Sequence, residues 1–283
     1  MTLIDGKSVA EERLNTLSKT ILKIKEEDGR VPGLAVILVG EDPASQTYVA
    51  SKVRQSKKVG IESKSIILNE EISEKDLIRV IESLNNDELI DGILVQLPLP
   101  KHINSDRVID CISPSKDVDG LHVYNVGRLA QNKEAFVPCT PLGIMTLFDD
   151  YEIELEGKDI LVIGRSQLVG NPMTTLLKNR NAPVTQAHSR SQNIEDKILS
   201  KEIIVVATGV KGMVKANMLR DYHIVIDVGI HREDGKLCGD VEKSAYDKVK
   251  MITPVPKGVG PMTIVSLLEN TVKAYNLKGE NHE

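Results

Sequence analysis

The sequence predicts an α/β fold in two domains, each a mostly parallel sheet with helices on both faces. Three observations carry that expectation. Short continuous apolar runs, of the length of buried strands, alternate with stretches that repeat at three and four residues. The alternation occurs in two separate series. Between them, from Leu97 to Thr140, it lapses into an irregular segment punctuated by Pro98, Pro100, Pro114, Pro138 and then Pro141, which reads as a domain crossover.

In the first series, Lys7 to Asp28 reads as a helix, with Leu14, Leu17, Ile21 and Ile24 on one face and Gly29 as a stop. Leu34 to Val39 is a buried strand. Pro43 opens a helix that Gly60 ends. Ser65 to Leu68 is a second strand. Ser73 caps a helix carrying Leu77, Val80, Ile81 and Leu84, with Asp76 in the place of a capping-box acid. Gly92 to Gln96 is a third strand.

In the second series, Ile160 to Ile163 is a strand, followed by a glycine-bearing turn and a helix from Gly170 to Lys178. Val184 to Ala187, Ile203 to Ala207 and Ile224 to Val228 are further strands. A loop rich in Pro and Gly, from Pro254 to Pro261, precedes a last helix from Met262 to about Tyr275. That helix is expected to pack back on the first domain. The expected boundaries are 1–138, completed by 262–283, and 139–261.

Composition excludes several classes. The 283 residues carry 41% hydrophobic and 27% charged residues, an ordinary globular balance. A net charge of −5 gives no basic field for nucleic acid, and 3% aromatics with no Trp leave no base-stacking platform. No apolar run approaches the length of a membrane span. Three distant cysteines, Cys111, Cys139 and Cys238, suit neither a disulfide framework nor zinc, and free thiols fit a reducing compartment. The six histidines lack ligand spacing. The expectation is a cytoplasmic protein with no resident metal, nucleic-acid partner or membrane.

The turn Gly164-Arg165-Ser166-Gln167-Leu168-Val169-Gly170 follows a buried strand and opens a helix, the place of a Rossmann phosphate loop. Its spacing is not G-x-G-x-x-G, and a plain strand-helix turn explains two glycines equally well. The next strand is followed by His188-Ser189-Arg190, where an NAD site usually carries an acid for the ribose. A hydroxyl and a guanidinium there suit a 2′-phosphate, and Arg165 adds a second cation, so NADP is the expected cofactor. The competing reading makes both arginines solvated surface charges. Ala207-Thr208-Gly209 and Asp227-Val228-Gly229-Ile230 end the following strands, where a doubly wound sheet lines its ligand crevice.

In the first series, Tyr48 and Lys52 lie four apart on one helix and share a face. Such a pair does acid/base work where the amine is partly desolvated, because burial favours a neutral amine. Taken alone, such a pair is more often a core-edge aromatic beside a solvated amine. An apolar strand delivers the Gln96 amide to its carboxyl end, within reach of a lysine amine. Asp117 and Asp119 sit in the tight loop Pro114-Ser115-Lys116-Asp117-Val118-Asp119-Gly120. A carboxylate there accepts paired N–H groups from an aminopyrimidine ring, or bonds its own turn.

Six segments occur in a fixed order: Tyr48-Val49-Ala50-Ser51-Lys52; Gln96-Leu97-Pro98-Leu99-Pro100; Lys116-Asp117-Val118-Asp119-Gly120; Pro138-Cys139-Thr140-Pro141; Gly164-Arg165-Ser166 with Val169-Gly170; and Gly258-Val259-Gly260-Pro261-Met262-Thr263. Together they resemble the bifunctional methylenetetrahydrofolate dehydrogenase/methenyltetrahydrofolate cyclohydrolase family over nearly the whole chain. The resemblance implies a folate-binding catalytic domain and a Rossmann-like NADP domain with a cleft between them. It implies tetrahydrofolate derivatives as substrates, a role in one-carbon metabolism, and a homodimer. Lys52 is then the acid/base group, Tyr48 stacks on the folate ring system, and Gln96 orients Lys52. Asp119 holds the pterin amino and ring N–H groups, and Gly260 and Pro261 line the folate site. Gly164, Arg165, Ser166, Gly170, Ser189, Arg190, Thr208, Gly209 and Ile230 hold NADP.

The chain departs from the family pattern at two places. Lys257 stands where Pro-Gly-Gly-Val-Gly-Pro usually has its first glycine, and Leu121-His122-Val123-Tyr124-Asn125 stands where Phe-His-Pro-Tyr-Asn is common. Rival readings are a shikimate- or amino-acid-dehydrogenase relative, a non-catalytic folate binder, and a dehydrogenase without cyclohydrolase activity.

Overall fold

The computed structural model describes residues 1–280, and the expected extension of the last helix over 281–283 lies outside the described residues. The chain divides into two compact units. One is Met1–Glu11 with Pro138–Thr263; the other is Glu12–Val137 with the residues from Ile264 onward.

In the unit that begins at Glu12, the strand Gly33–Val39 is the centre of a parallel sheet among the described residues. It pairs with Glu62–Leu68 on one side and Gly92–Val95 on the other. All seven of its residues are buried, which explains the unbroken apolar run. The edge strand begins at Glu62, three residues before the expected Ser65. Its alternating, mostly exposed side chains tolerate Glu62, Ser63 and Lys64, so hydrophobicity could not mark its start. The helix Pro43–Val59 starts where Asp42 accepts from the Ser45 N–H at 2.7 Å and ends at Gly60. Ser73 accepts from the Asp76 N–H at 3.1 Å to cap Glu74–Asn85, whose Leu77, Ile81 and Leu84 pack on the sheet.

The irregular crossover contains two helices that periodicity did not reveal, Ser105–Ile109 and Val123–Ala130, and a third, Cys139–Asp150, begins at its end. Residues of the last helix tie into the Glu12 unit through Asn270, whose amide donates to the Val118 and Val137 carbonyls at 2.8 and 3.1 Å. Opposite the carboxyl ends of the strands, Arg30 forms a two-pronged bond to buried Asp91 at 2.8 and 2.9 Å and lies over the Tyr275 ring.

The other unit carries a six-stranded parallel sheet among the described residues. Its order is Thr2–Leu3, Met251–Ile252, Ile224–Asp227, Ile203–Val206, Ile160–Ile163, Val184–Ala187. The amino-terminal strand pairs with Met251–Ile252, which places residues 1–11 with the second series and not with the first. Strand order reverses at Ile160–Ile163: the next strand in sequence lies on one side and Ile203–Val206 on the other. A doubly wound sheet opens its ligand crevice at such a point. The last helix runs from Val259 to Glu280, earlier than expected, so Gly260 and Pro261 lie in its first turn and not in a preceding loop. Proline is tolerated there because the first-turn N–H groups lack helical partners anyway.

Candidate active site

In the Glu12 unit, Lys52 projects from the helix Pro43–Val59 one turn after Tyr48, and its Nζ donates to Gln96 Oε1 at 2.9 Å. Both side chains are half-buried. Gln96 stands one residue beyond the strand Gly92–Val95, one position short of the expected end. Its N–H still continues the ladder to the Ile37 carbonyl at 2.8 Å. Its amide N–H donates to the Leu97 carbonyl at 2.6 Å, which assigns the oxygen to the lysine. The amide orientation is therefore fixed from two sides. Tyr48 is 41% exposed.

Asp117 and Asp119 differ. Asp117 is 1% exposed and accepts from the N–H groups of Leu121 and His122 and from the Asn125 amide at 2.9 Å. Its desolvation pushes the carboxyl above the usual range, partly offset by these donors. This is turn chemistry, which fixes the loop carrying half-buried Asp119. Asn125 locks the same loop by donating to the Pro114 carbonyl at 3.0 Å. Nothing in the sequence pattern assigns Asn125 a role, although an amide following a double-Asp turn is a usable signal.

The other unit collects the remaining expected residues. Gly164 ends the strand Ile160–Ile163 at φ 140°, and a β-carbon on it would overlap the Ala207 carbonyl. A β-carbon on Gly170, the first residue of the helix Gly170–Asn179, would overlap the Gly164 backbone. The turn thus achieves the close backbone approach of a phosphate loop without the usual spacing. Ser166 accepts from the Val169 N–H at 3.2 Å and caps this turn, while Arg165 is exposed. After Val184–Ala187, His188 Nδ1 accepts from the Arg190 N–H at 3.2 Å and Ser191 Oγ from the His188 N–H at 3.0 Å. This tight turn presents Ser189 and Arg190 to solvent. Thr208 and Gly209 follow the strand Ile203–Val206, and Ile230 is 42% exposed. A β-carbon on Gly260 would lie 3.7 Å from Ile230, so those two neighbour each other; Pro261 is half-buried beside them in sequence. Hydroxyl and guanidinium groups beyond one strand, a glycine-lined helix start, and small residues across the reversal point together fit a dinucleotide carrying an extra phosphate.

Two family patterns cover the chain. The pattern described as tetrahydrofolate dehydrogenase/cyclohydrolase, catalytic domain, matches residues 4–119. That for the NAD(P)-binding domain of the same family matches residues 138–279. The chain belongs to the tetrahydrofolate dehydrogenase/cyclohydrolase family. The bifunctional protein FolD of Sulfurovum sp. (strain NBC37-1) is 49% identical over 276 residues, 97% of this chain and 98% of that protein. The crystal structure of the bifunctional enzyme FolD from Campylobacter jejuni superposes with a TM-score of 0.96 at 46% identity, covering 98% of this chain and 99% of that one. The Trypanosoma brucei methylenetetrahydrofolate dehydrogenase-cyclohydrolase (FolD), solved with NADP cofactor and inhibitor, gives a TM-score of 0.95 at 35% identity over 98% of each chain. Membership in the tetrahydrofolate dehydrogenase/cyclohydrolase family decides against a shikimate- or amino-acid-dehydrogenase relative. Among the described residues no helix is long and apolar enough to cross a membrane.

Proposed function

We propose that this chain oxidises 5,10-methylenetetrahydrofolate to 5,10-methenyltetrahydrofolate with NADP⁺ and hydrolyses that product to 10-formyltetrahydrofolate. The observation that carries the reading is the Lys52–Gln96 bond of 2.9 Å in a chain matched by both domains of the family.

Arg165, Ser189 and Arg190 are assigned to the 2′-phosphate, and Gly164, Ser166 and Gly170 to the pyrophosphate. Thr208, Gly209 and Ile230 are assigned to the nicotinamide side. Bound NADP⁺ supplies a hydride acceptor. The protein's own residues then hold the folate: Asp119 accepts from the pterin amino and ring N–H groups, Tyr48 stacks on the ring, and Gly260 and Pro261 shape its surroundings. Loss of hydride leaves a cationic, amidine-like carbon that water attacks without help from a metal. The Lys52 amine takes a proton from the adding water and returns it to the departing ring nitrogen as that carbon–nitrogen bond breaks. The net change is one water consumed and one proton released. Gln96 keeps the lysine on the correct side of the carbon. On the same reading residues 12–138, completed by the last helix, are the folate-binding half, and 139–261 together with the first eleven residues are the NADP-binding half. It also makes the protein a cytoplasmic homodimer.

The test supplies methylenetetrahydrofolate with NADP⁺ or NAD⁺ and follows NADPH and methenyl absorbance together. Methenyltetrahydrofolate alone, without nucleotide, reports hydrolysis. Turnover in both assays supports the reading; nucleotide reduction without hydrolysis would reduce the protein to a dehydrogenase.

A further inference from the structure

The mechanism above leaves unused two buried carboxylates in the unit that carries the expected cofactor residues. Asp227 ends the strand Ile224–Asp227, and Asp240 lies beyond the hairpin formed by His231–Glu233 and Lys236–Cys238. They are 1% and 0% exposed. Asp240 Oδ2 accepts three hydrogen bonds from a single turn: the Thr208 N–H at 2.6 Å, the Thr208 hydroxyl at 2.8 Å and the Gly209 N–H at 3.0 Å. Its Oδ1 meets His231 Nε2 at 2.7 Å. Asp227 in turn accepts from the N–H groups of Gly229, Asp240 and Val241 at 3.1, 2.9 and 3.1 Å. The two segments interlock, since a β-carbon on Gly229 would overlap the Asp240 carboxylate and one on Gly239 the Asp227 carboxylate.

A buried carboxylate survives only where both oxygens are well partnered. Here the partners are two chain segments that carry expected cofactor residues: Thr208 and Gly209 on one, and Ile230, adjoining His231, on the other. Asp240 is the group that joins them. Its location also says which end of a dinucleotide it serves. Strand Val184–Ala187, with Ser189 and Arg190 beyond it, lies on one side of Ile160–Ile163, and Ile203–Val206 lies on the other. A dinucleotide with its pyrophosphate at Gly164–Gly170 and its 2′-phosphate at Arg190 extends its nicotinamide toward the Thr208 turn.

We propose that Asp240, held by His231, is a positioning residue for the dehydrogenase step: it fixes the Thr208–Gly209 turn and the Ile230 segment against the nicotinamide half of NADP. The inference rests on the folate reading given above and adds to it a group that touches neither substrate nor cofactor. Misplacing a reacting centre by about 1 Å costs on the order of 100-fold in rate, so a turn set by three bonds to one oxygen is a sensitive point.

Three variants test it: Asp240→Ala, Asp240→Asn and His231→Ala. Each is assayed for NADP⁺-dependent oxidation, for nucleotide-free hydrolysis of methenyltetrahydrofolate, and for NADPH binding by fluorescence titration. Asp240→Ala is expected to lower dehydrogenase kcat/KM by about 100-fold. NADPH binding weakens about tenfold and nucleotide-free hydrolysis stays within about twofold of the parent. Asp240→Asn keeps an oxygen toward the turn and an N–H toward His231, and recovers most of the loss. Should Asp240→Ala fail to fold, His231→Ala carries the test, because that ring is partly exposed; it shows the same split at smaller size. Equal losses in both activities, or parent behaviour throughout, overturn the proposal. A parent protein inactive in both assays strikes the folate reading itself and takes the proposal with it.

Discussion

Replacing Lys257 by glycine should stabilise the protein, although it deletes a charged side chain and adds chain freedom. Lys257 adopts φ 87°, a conformation in which an L side chain crowds its own backbone. That costs about 1–2 kcal/mol for a residue with a β-carbon. The side chain is exposed, so its removal sacrifices no burial. The backbone role survives, because the Lys257 carbonyl accepts from the Lys7 N–H at 2.9 Å whatever the side chain. Against this, glycine gives the unfolded chain more conformations, at about 0.4–1 kcal/mol. The difference of the two central values leaves a net gain of about 0.8 kcal/mol, or about 2 °C in Tm for a chain of this size. Lys257→Ala is the control: it removes the charge but keeps the β-carbon and therefore the strain. Thermal unfolding of the three proteins side by side should place Lys257→Gly highest, with the parent and Lys257→Ala within about 0.5 kcal/mol of each other. If Lys257→Gly melts at or below Lys257→Ala, backbone strain is not what this lysine costs.

Three other outcomes follow from the same geometry. Arg165→Ala and Arg190→Ala should weaken NADP⁺ more than NAD⁺, as read by KM for each nucleotide; equal losses would remove the 2′-phosphate assignment. Arg30→Met strips buried Asp91 of its two-pronged partner, leaving the Gly33 N–H at 2.9 Å and Lys278 at 4.0 Å, and should cost about 3 kcal/mol by urea unfolding. A midpoint unchanged from the parent would show that the pair contributes nothing. Burial lifts the Asp227 carboxyl from its ordinary 3.8 to about 7, against the pull of its three N–H donors. The folded state therefore holds that proton more tightly than the unfolded state. Its contribution to stability is full below the ordinary value and is lost as pH rises through about 7. The fall in stability between about pH 5 and 8 should be larger in the parent than in Asp227→Asn. Identical falls would contradict the raised value.

What the sequence disclosed follows the physics of each segment. Gly33–Val39 and Ile203–Val206 are buried on both faces, so hydrophobicity alone outlines them. Ser73 and Asp76 announce a helix start because they cap it as the residues suggest. Other elements carry no such mark. Val123–Ala130 is capped by His122, whose Nδ1 accepts from the Tyr124 N–H at 2.9 Å, and histidine is not a usual cap signal. Cys139–Asp150 begins after Pro138 with no side-chain cap and is buried almost all round, so it lacks an amphipathic period. Thr2–Leu3 and Met251–Ile252 are two residues each, too short for any pattern, yet their pairing moves the amino terminus to the other unit. The Asp234-Gly235 turn is a legible hairpin signal, but its flanking strands are exposed and polar and do not alternate.

The site divides in the same way. Tyr48, Lys52 and Gln96 lie on one regular helix and at the end of one apolar strand, so spacing and strand polarity brought them into view. Glycines at Gly164 and Gly170 were visible, but their reason, contact with Ala207 and with each other, needed three dimensions. Asp240 lies 32 residues from the turn it holds, and nothing local to Gly239-Asp240-Val241 separates it from a surface acid.

The proposed hydrolysis depends most on the Lys52 amine, and Lys52→Met tests that role with little change of volume. The variant should keep the parent's fold by circular dichroism and its NADPH affinity, while nucleotide-free hydrolysis of methenyltetrahydrofolate falls by about 100-fold or more. Hydrolysis at the parent rate would contradict the assignment of this lysine as the group that moves the protons.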